Sequence, residues 1–337
     1  MSGHQVLVTT RSFGAGSVDV VRLLAATGVE VVRGSAVHDP VELIEVLATA
    51  DAWIAGRVPV TAELIDLAPR LRVLTRFGVD VDTVDVEAAT RRGVVVTHTP
   101  GAAVDALADH TLGLLLAALR GVVDGDRRVR AGRWTTTRGR ELSALTVGIV
   151  GFDQVGQAVA RRLAGFGSTV LVHESFADRA QAATAGLDLR SAPEFAAECD
   201  IVTLHEAGGR RILDDDWLAV CRDGQIVVSV GPSTLVDEDA VAQGLRSGRL
   251  SAYAADGLHS RGPSPLLQTD LIPSVIITPH LGAETLEAID RMGLSAANDV
   301  IAVLAGRAPK HKVAAHTRDA YSVGRADPEA AIVRFVR

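Results

Sequence analysis

Short apolar runs alternate with amphipathic stretches along most of the chain, the pattern of strands and helices in turn. Val6–Thr9, Val29–Arg33, Ala52–Ala55, Leu71–Thr75 and Val94–Thr97 read as strands. Val18–Thr27, Pro40–Ala48, Thr61–Leu67 and Asp85–Arg92 read as the helices between them. Connections this short predict a small parallel α/β unit. Ala103–Leu119, opened by Thr99-Pro100-Gly101, reads as a long apolar helix that leads into a second unit. Its strands are Thr146–Val150, Val170–Val172, Ile201–Leu204, Ile226–Ser229, Ala252–Ala255 and Ile276–Thr278. After His280, Glu284–Leu304 reads as one long helix returning to the first unit, which makes the first domain discontinuous. Ala308–Arg337, with Pro309, Gly324 and Pro328, reads as an irregular tail.

The sharpest motif lies between Leu145 and Glu174. A strand (Leu145–Val150) meets a turn, Gly151-Phe152-Asp153-Gln154-Val155-Gly156, and the helix Gln157–Gly165 follows. A second strand, Thr169–His173, then ends on Glu174. Strand, glycine turn, helix, strand and terminal acid make the dinucleotide-binding βαβ unit: the turn admits a pyrophosphate and the acid holds a ribose. Glu174 favours NAD over NADP, since a carboxylate repels a 2′-phosphate. One position departs from the fingerprint. Asp153 stands where the second glycine lets the backbone approach the pyrophosphate, and it brings a negative charge to face two phosphates.

Composition narrows the field. A chain of 337 residues, 47% hydrophobic and 22% charged, is long enough for two globular domains and is not of a disordered type. Against 41 acidic side chains stand 34 basic ones, and the net charge is −7 with no basic block, which excludes nucleic acid and anionic membranes as expected partners. The arginines of Arg120–Arg140 are interleaved with acids and glycines and read as a solvated helix and loop. Cys199 and Cys221 make neither a disulfide framework nor a metal site, and His98, His205 and His259 lack metal-ligand spacing, so no metal is expected. The start Met1–Gln5 is polar and Thr111–Leu119 is too short to span a bilayer, so a soluble cytoplasmic protein is expected.

Several further stretches carry a family likeness. They include Pro59-Val60-Thr61-Ala62-Glu63-Leu64, Val84 to Gly93, Thr99-Pro100-Gly101 and Asp200-Ile201-Val202-Thr203-Leu204-His205. Leu235-Val236-Asp237-Glu238 and Thr278-Pro279-His280-Leu281-Gly282-Ala283 complete the set. Over about residues 50–308 the chain resembles the D-2-hydroxyacid dehydrogenase family, in particular its phosphoglycerate dehydrogenase-like members. The resemblance implies an α/β fold of two Rossmann-like doubly wound parallel-sheet domains. A dinucleotide-binding domain, 99–282, would be inserted into a discontinuous flavodoxin-like substrate domain, 1–98 plus 283–308, with 309–337 as a tail. It implies NAD, a small-molecule substrate and a homodimer paired through the dinucleotide domains, with Ala103–Leu119 contributing. The positions that would hold the cofactor are Gly151, Gln154, Val155, Gly156, Glu174, His205, Val230, Asp256 and Gly282. Phe77, Gly78 and Val79 would meet the substrate. In the family, hydride moves between nicotinamide and C2 of a 2-hydroxy or 2-oxo acid, a histidine moves the proton, a glutamate raises its pKa and an arginine holds the substrate carboxylate.

His280 matches the family histidine, but its usual partners are replaced. Pro232 stands at the arginine position, within Ser229-Val230-Gly231-Pro232-Ser233-Thr234. Arg261 stands at the glutamate position, within Asp256-Gly257-Leu258-His259-Ser260-Arg261-Gly262. Asp80 replaces a glycine in the substrate loop Arg76-Phe77-Gly78-Val79-Asp80-Val81-Asp82, and the loop after His205 is shortened to Glu206–Arg211. Losing the arginine removes a bidentate partner for a carboxylate, and a cation beside His280 lowers an imidazole pKa where a glutamate would raise it. Three readings follow. The chain is a divergent enzyme, impaired or repurposed for another substrate or reaction; a non-catalytic binding or regulatory protein on the same scaffold; or an active oxidoreductase with migrated residues. In the last, Arg261 serves the carboxylate and Glu284 or Glu206 stands near His280.

Overall fold

The structure, a computed structural model, describes residues 3–174, 192–205, 211–259, 262–313 and 331–335. The chain forms two compact units, Met1–Ala106 with Ala283–Ala320, and Leu107–Gly282 with Tyr321–Arg337.

In the first unit, β1 (His4–Val8), β2 (Val29–Arg33), β3 (Ala52–Ala55), β4 (Val73–Arg76) and β5 (Val95–Thr97) form a parallel sheet of order β2-β1-β3-β4-β5. The helices α1 (Val20–Ala25), α2 (Pro40–Leu47), α3 (Ala62–Asp66) and α4 (Val86–Arg91) start at Asp19, Asp39, Thr61 and Asp85. Each of these side chains accepts a backbone N–H that would otherwise be orphaned in the first turn. β3 and β4 are buried throughout, and β3 accordingly reads as an unbroken apolar run with no alternation. At the carboxyl edge, the Trp53 indole N–H donates to Thr9 Oγ1 at 2.9 Å, and Thr9 Oγ1 lies 2.7 Å from His38 Nε2. His38 Nδ1 is 3.0 Å from the Pro59 carbonyl, which can only accept, so the ring proton is on Nδ1 and Nε2 accepts from Thr9.

α5 (Val104–Arg120) leads into the second unit, and α6 (Val122–Arg130) follows it. The strands there are β6 (Thr146–Val150), β7 (Thr169–Glu174), β8 (Ile201–Leu204), β9 (Gln225–Ser229), β10 (Leu250–Ala255) and β11 (Val275–Ile277). The order is β11-β10-β9-β8-β6-β7-β12, and all neighbours are parallel except β12 (Ala331–Phe335), which runs antiparallel to β7. The helices are α7 (Gln154–Phe166), α8 (Ala192–Glu198), α9 (Asp215–Val220) and α10 (Glu238–Ser247), and α11 (Leu286–Leu304) lies back in the first unit. Gly148 in β6 lets α8 approach the sheet: a Cβ there would lie 2.6 Å from both Cys199 Sγ and Phe195 Cζ. Cys199 and Cys221 are buried free thiols, and burial pushes both up in pKa.

Two expectations are corrected. α7 starts at Gln154, three residues earlier than the periodicity suggested, because Asp153 caps it. The tail, read as irregular, contains β12. On α5, Ala108, Leu112, Leu114 and Leu115 are buried within the chain. No single helix among the described residues is long and apolar enough to cross a membrane.

Gly148→Ala is expected to destabilise the protein by about 1–3 kcal/mol, because the added methyl overpacks the α8–sheet contact. A lowered urea midpoint with unchanged far-UV circular dichroism would show it.

Candidate functional site

Parallel α/β sheets present their binding crevice at the carboxyl ends of the strands, where the strand order reverses. In the second unit that point lies between β6 and β8. Gly151 turns the chain there at φ 88°, and Gly156 has no room for a side chain because a Cβ would run into the Gly151 carbonyl. Between them Asp153 folds back on α7. Its Oδ1 accepts the N–H of Val155 at 2.9 Å and of Gly156 at 3.0 Å. A helix N-terminus receives phosphate through such free amides; here a side-chain carboxylate has taken two of them. The turn and strands therefore suit a dinucleotide, and a side-chain carboxylate already sits at the end where a pyrophosphate would lie. Glu174 closes β7, and its side chain lies outside the described residues.

His205 follows β8 and its backbone N–H donates to the Val150 carbonyl at 2.8 Å. It is one of the expected cofactor positions. The ring is buried, with 5% of the residue exposed, and neither ring nitrogen has a hydrogen-bond partner among the described residues. Burial drops its pKa to about 3. At the end of β9, Val230 and Gly231 donate their N–H groups to the Leu204 carbonyl. Pro232, with φ −55° and ψ 136°, opens the 3-10 turn Ser233–Leu235. It supplies no cation where the family places its arginine.

At the ends of β10 and β11 the groups converge. Asp256, whose side chain is 6% exposed, accepts from Thr278 Oγ1 at 2.6 Å and Leu281 N at 2.7 Å on Oδ1, and from Gly282 N at 2.8 Å on Oδ2. It thus holds the residues on both sides of His280, which adopts φ 58°, a left-handed conformation uncommon outside glycine. The His280 ring lies over Gly257: a Cβ on that residue would sit 2.7 Å from Nε2. His110 on α5 joins the cluster, with Nε2 3.0 Å from Thr278 Oγ1 and 3.4 Å from Asp256 Oδ1. Motif matching missed His110; the available signal was one imidazole in a largely apolar helix, within Leu107-Ala108-Asp109-His110-Thr111-Leu112. The next loop is held by Glu238, which accepts from His259 N at 2.8 Å and from Ser264 Oγ at 2.6 Å. Arg261 lies outside the described residues between those two anchors.

The loop after β4 belongs to the first unit. Phe77, an expected substrate position, turns its side chain into the core: it is buried and packs edge-on against Phe13, ring centroids 5.9 Å apart. Gly78 has φ 146° and its carbonyl accepts from Thr99 N at 2.8 Å, while Val79 is exposed. Asp80 Oδ1 accepts from Asp82 N at 2.8 Å. Burial and the Arg57 charge pull the Arg76 guanidinium down to about 10, and Asp80 acts against them.

Residues 112–282 match the family described as D-isomer specific 2-hydroxyacid dehydrogenase, NAD binding domain. The chain is 34% identical to a glyoxylate reductase of Pyrococcus furiosus over 283 residues, 80% of this chain and 83% of the relative. It belongs to the D-isomer-specific 2-hydroxyacid dehydrogenase family. It is also 37% identical over 278 residues to a D-3-phosphoglycerate dehydrogenase of Mycobacterium leprae, covering 80% of this chain and 52% of the relative. The chain thus spans about half the length of that relative. Among solved structures, the TT0316 protein from Thermus thermophilus superposes with a TM-score of 0.81 at 34% identity, over 92% of this chain and all of the other. The family's NAD-binding domain and two-domain Rossmann-like architecture are therefore present.

The buried His205 of this family member sets a pH dependence. As pH falls below the imidazole's usual 6.5, the unfolded chain takes up a proton that the native state refuses until about pH 3. Stability is therefore flat above 6.5 and falls below it, by up to about 1.4 kcal/mol per pH unit from this group. Urea midpoints at about pH 7.5 and 5 are expected to differ clearly in the parent and by less in His205→Leu.

Proposed function

We propose that the protein is a divergent D-2-hydroxyacid dehydrogenase family member, impaired as an oxidoreductase or repurposed for another substrate or reaction. The observation that carries this is the Asp153 carboxylate seated on the first amides of α7. A pyrophosphate arriving there must displace the cap and meet its charge, so NAD binding is weak, and NADP is further disfavoured by Glu174. The altered substrate positions support the same reading. With Pro232 in place of an arginine, a 2-oxo acid loses a bidentate partner worth several kcal/mol in the transition state, and Asp80 adds repulsion. What persists is the proton-handling corner: His280 over Gly257, with Asp256 holding its loop. That corner fits a small ligand with a polar group to protonate and no phosphate at the α7 end.

A second copy of the chain is the proposed partner. Its place is the side carrying α6, which buries no residue, leaves Val122, Val123 and Val129 exposed, and is followed by Trp134 at 81% exposure.

Calorimetric titration with NADH tests the main reading. The parent is expected to bind weakly, and Asp153→Gly to bind at least about tenfold more tightly, a change of roughly 1.4 kcal/mol. Asp153→Asn, which keeps a capping oxygen and removes the charge, should fall between them. Tight NADH binding by the parent, unchanged in both variants, would overturn the proposal.

A further inference from the structure

We propose that His110 is a positioning residue for His280, acting through Thr278 and Asp256. The inference rests on reading His280 as the proton-handling group and does not require that NAD binds.

Thr278 has a single hydroxyl proton and three neighbours: Asp256 Oδ1 at 2.6 Å, the Ala255 carbonyl at 3.3 Å and His110 Nε2 at 3.0 Å. The carboxylate and the carbonyl can only accept, and the shorter, charge-assisted contact takes the proton. Toward His110 the hydroxyl oxygen is then the acceptor, and His110 must carry its proton on Nε2. That N–H fills the lone pair of Thr278 from the α5 side and directs the hydroxyl proton at Asp256.

Asp256 in turn needs every donor it has. Its side chain is 6% exposed, and a buried carboxylate short of hydrogen bonds is costly. With Thr278 donating, Asp256 is an ionised acceptor for the amides of Leu281 and Gly282, the two residues that follow His280. Those bonds hold His280 at φ 58°, a strained conformation for a non-glycine residue that persists only where its surroundings enforce it. The α5 imidazole also abuts the end of this loop, since a Cβ on Gly282 would lie 3.5 Å from His110 Cδ2. One proton on α5 therefore orders a path that ends at the His280 ring.

Solution NMR of the full-length, ligand-free protein tests this through the His280 ring resonances and their NOE to the Gly257 α-protons. His110→Met keeps approximate volume and removes the donor; His110→Gln keeps a donor near the Nε2 position. The expected result is loss of the His280–Gly257 NOE in His110→Met and its retention in His110→Gln. The same NOE in all three proteins, or an equal loss in both variants, would overturn the proposal, since packing alone would then explain the contact. If either variant fails to fold, Thr278→Val and Thr278→Ser make the same comparison one step along the path, with loss expected only in Thr278→Val. Failure of NADH to bind leaves this readout untouched, so the two proposals fail separately.

Discussion

A carboxylate taken out of water must be surrounded by donors, and that requirement at Asp256 organises the corner on which the rest of the site depends. Three donors reach it from β11 and the loop beyond, so the strand ends cannot move independently. His280 acquires its unusual backbone as a consequence, and Gly257 is needed opposite because any side chain would meet the ring. The same residue thus serves packing, backbone strain and the orientation of a titratable group.

The requirement appears with opposite roles at the start of α7. There the backbone has donors to spare, and an anion must satisfy them. A dinucleotide fold ordinarily leaves that task to its ligand. In this chain Asp153 does it internally, by capping α7. Asp80 in the first unit forms a comparable local bond, with Asp82 N. Both carboxylates tie down the loop that carries them.

The regular parts of both sheets were legible because each depends on local rules. Thr146–Val150, Ile201–Leu204 and Ala52–Ala55 are apolar runs bounded by turn residues, and their observed limits match the pattern. Asp39 before Pro40, Thr61 and Asp85 mark helix starts that a reader of sequence can find. Asp153 was legible as an anomaly, but not as a cap, because the direction of its side chain depends on the ψ of −167° it adopts between Gly151 and α7. At His205 and Phe77 the motif gave the position but not the direction of the ring, which in each case turns into the interior.

By itself, the sequence determined the family, the alternation of strands and helices in both units, and the charges that Asp153 and Asp80 carry. Those are properties of residue type and spacing, which act along the chain. Only the tertiary structure decided that His110, 146 residues before Asp256, shares a carboxylate with the loop of His280, and that the first amides of α7 are already taken. Hydrogen bonds between distant segments depend on angles and burial at the moment of packing, and no local pattern in the chain encodes them.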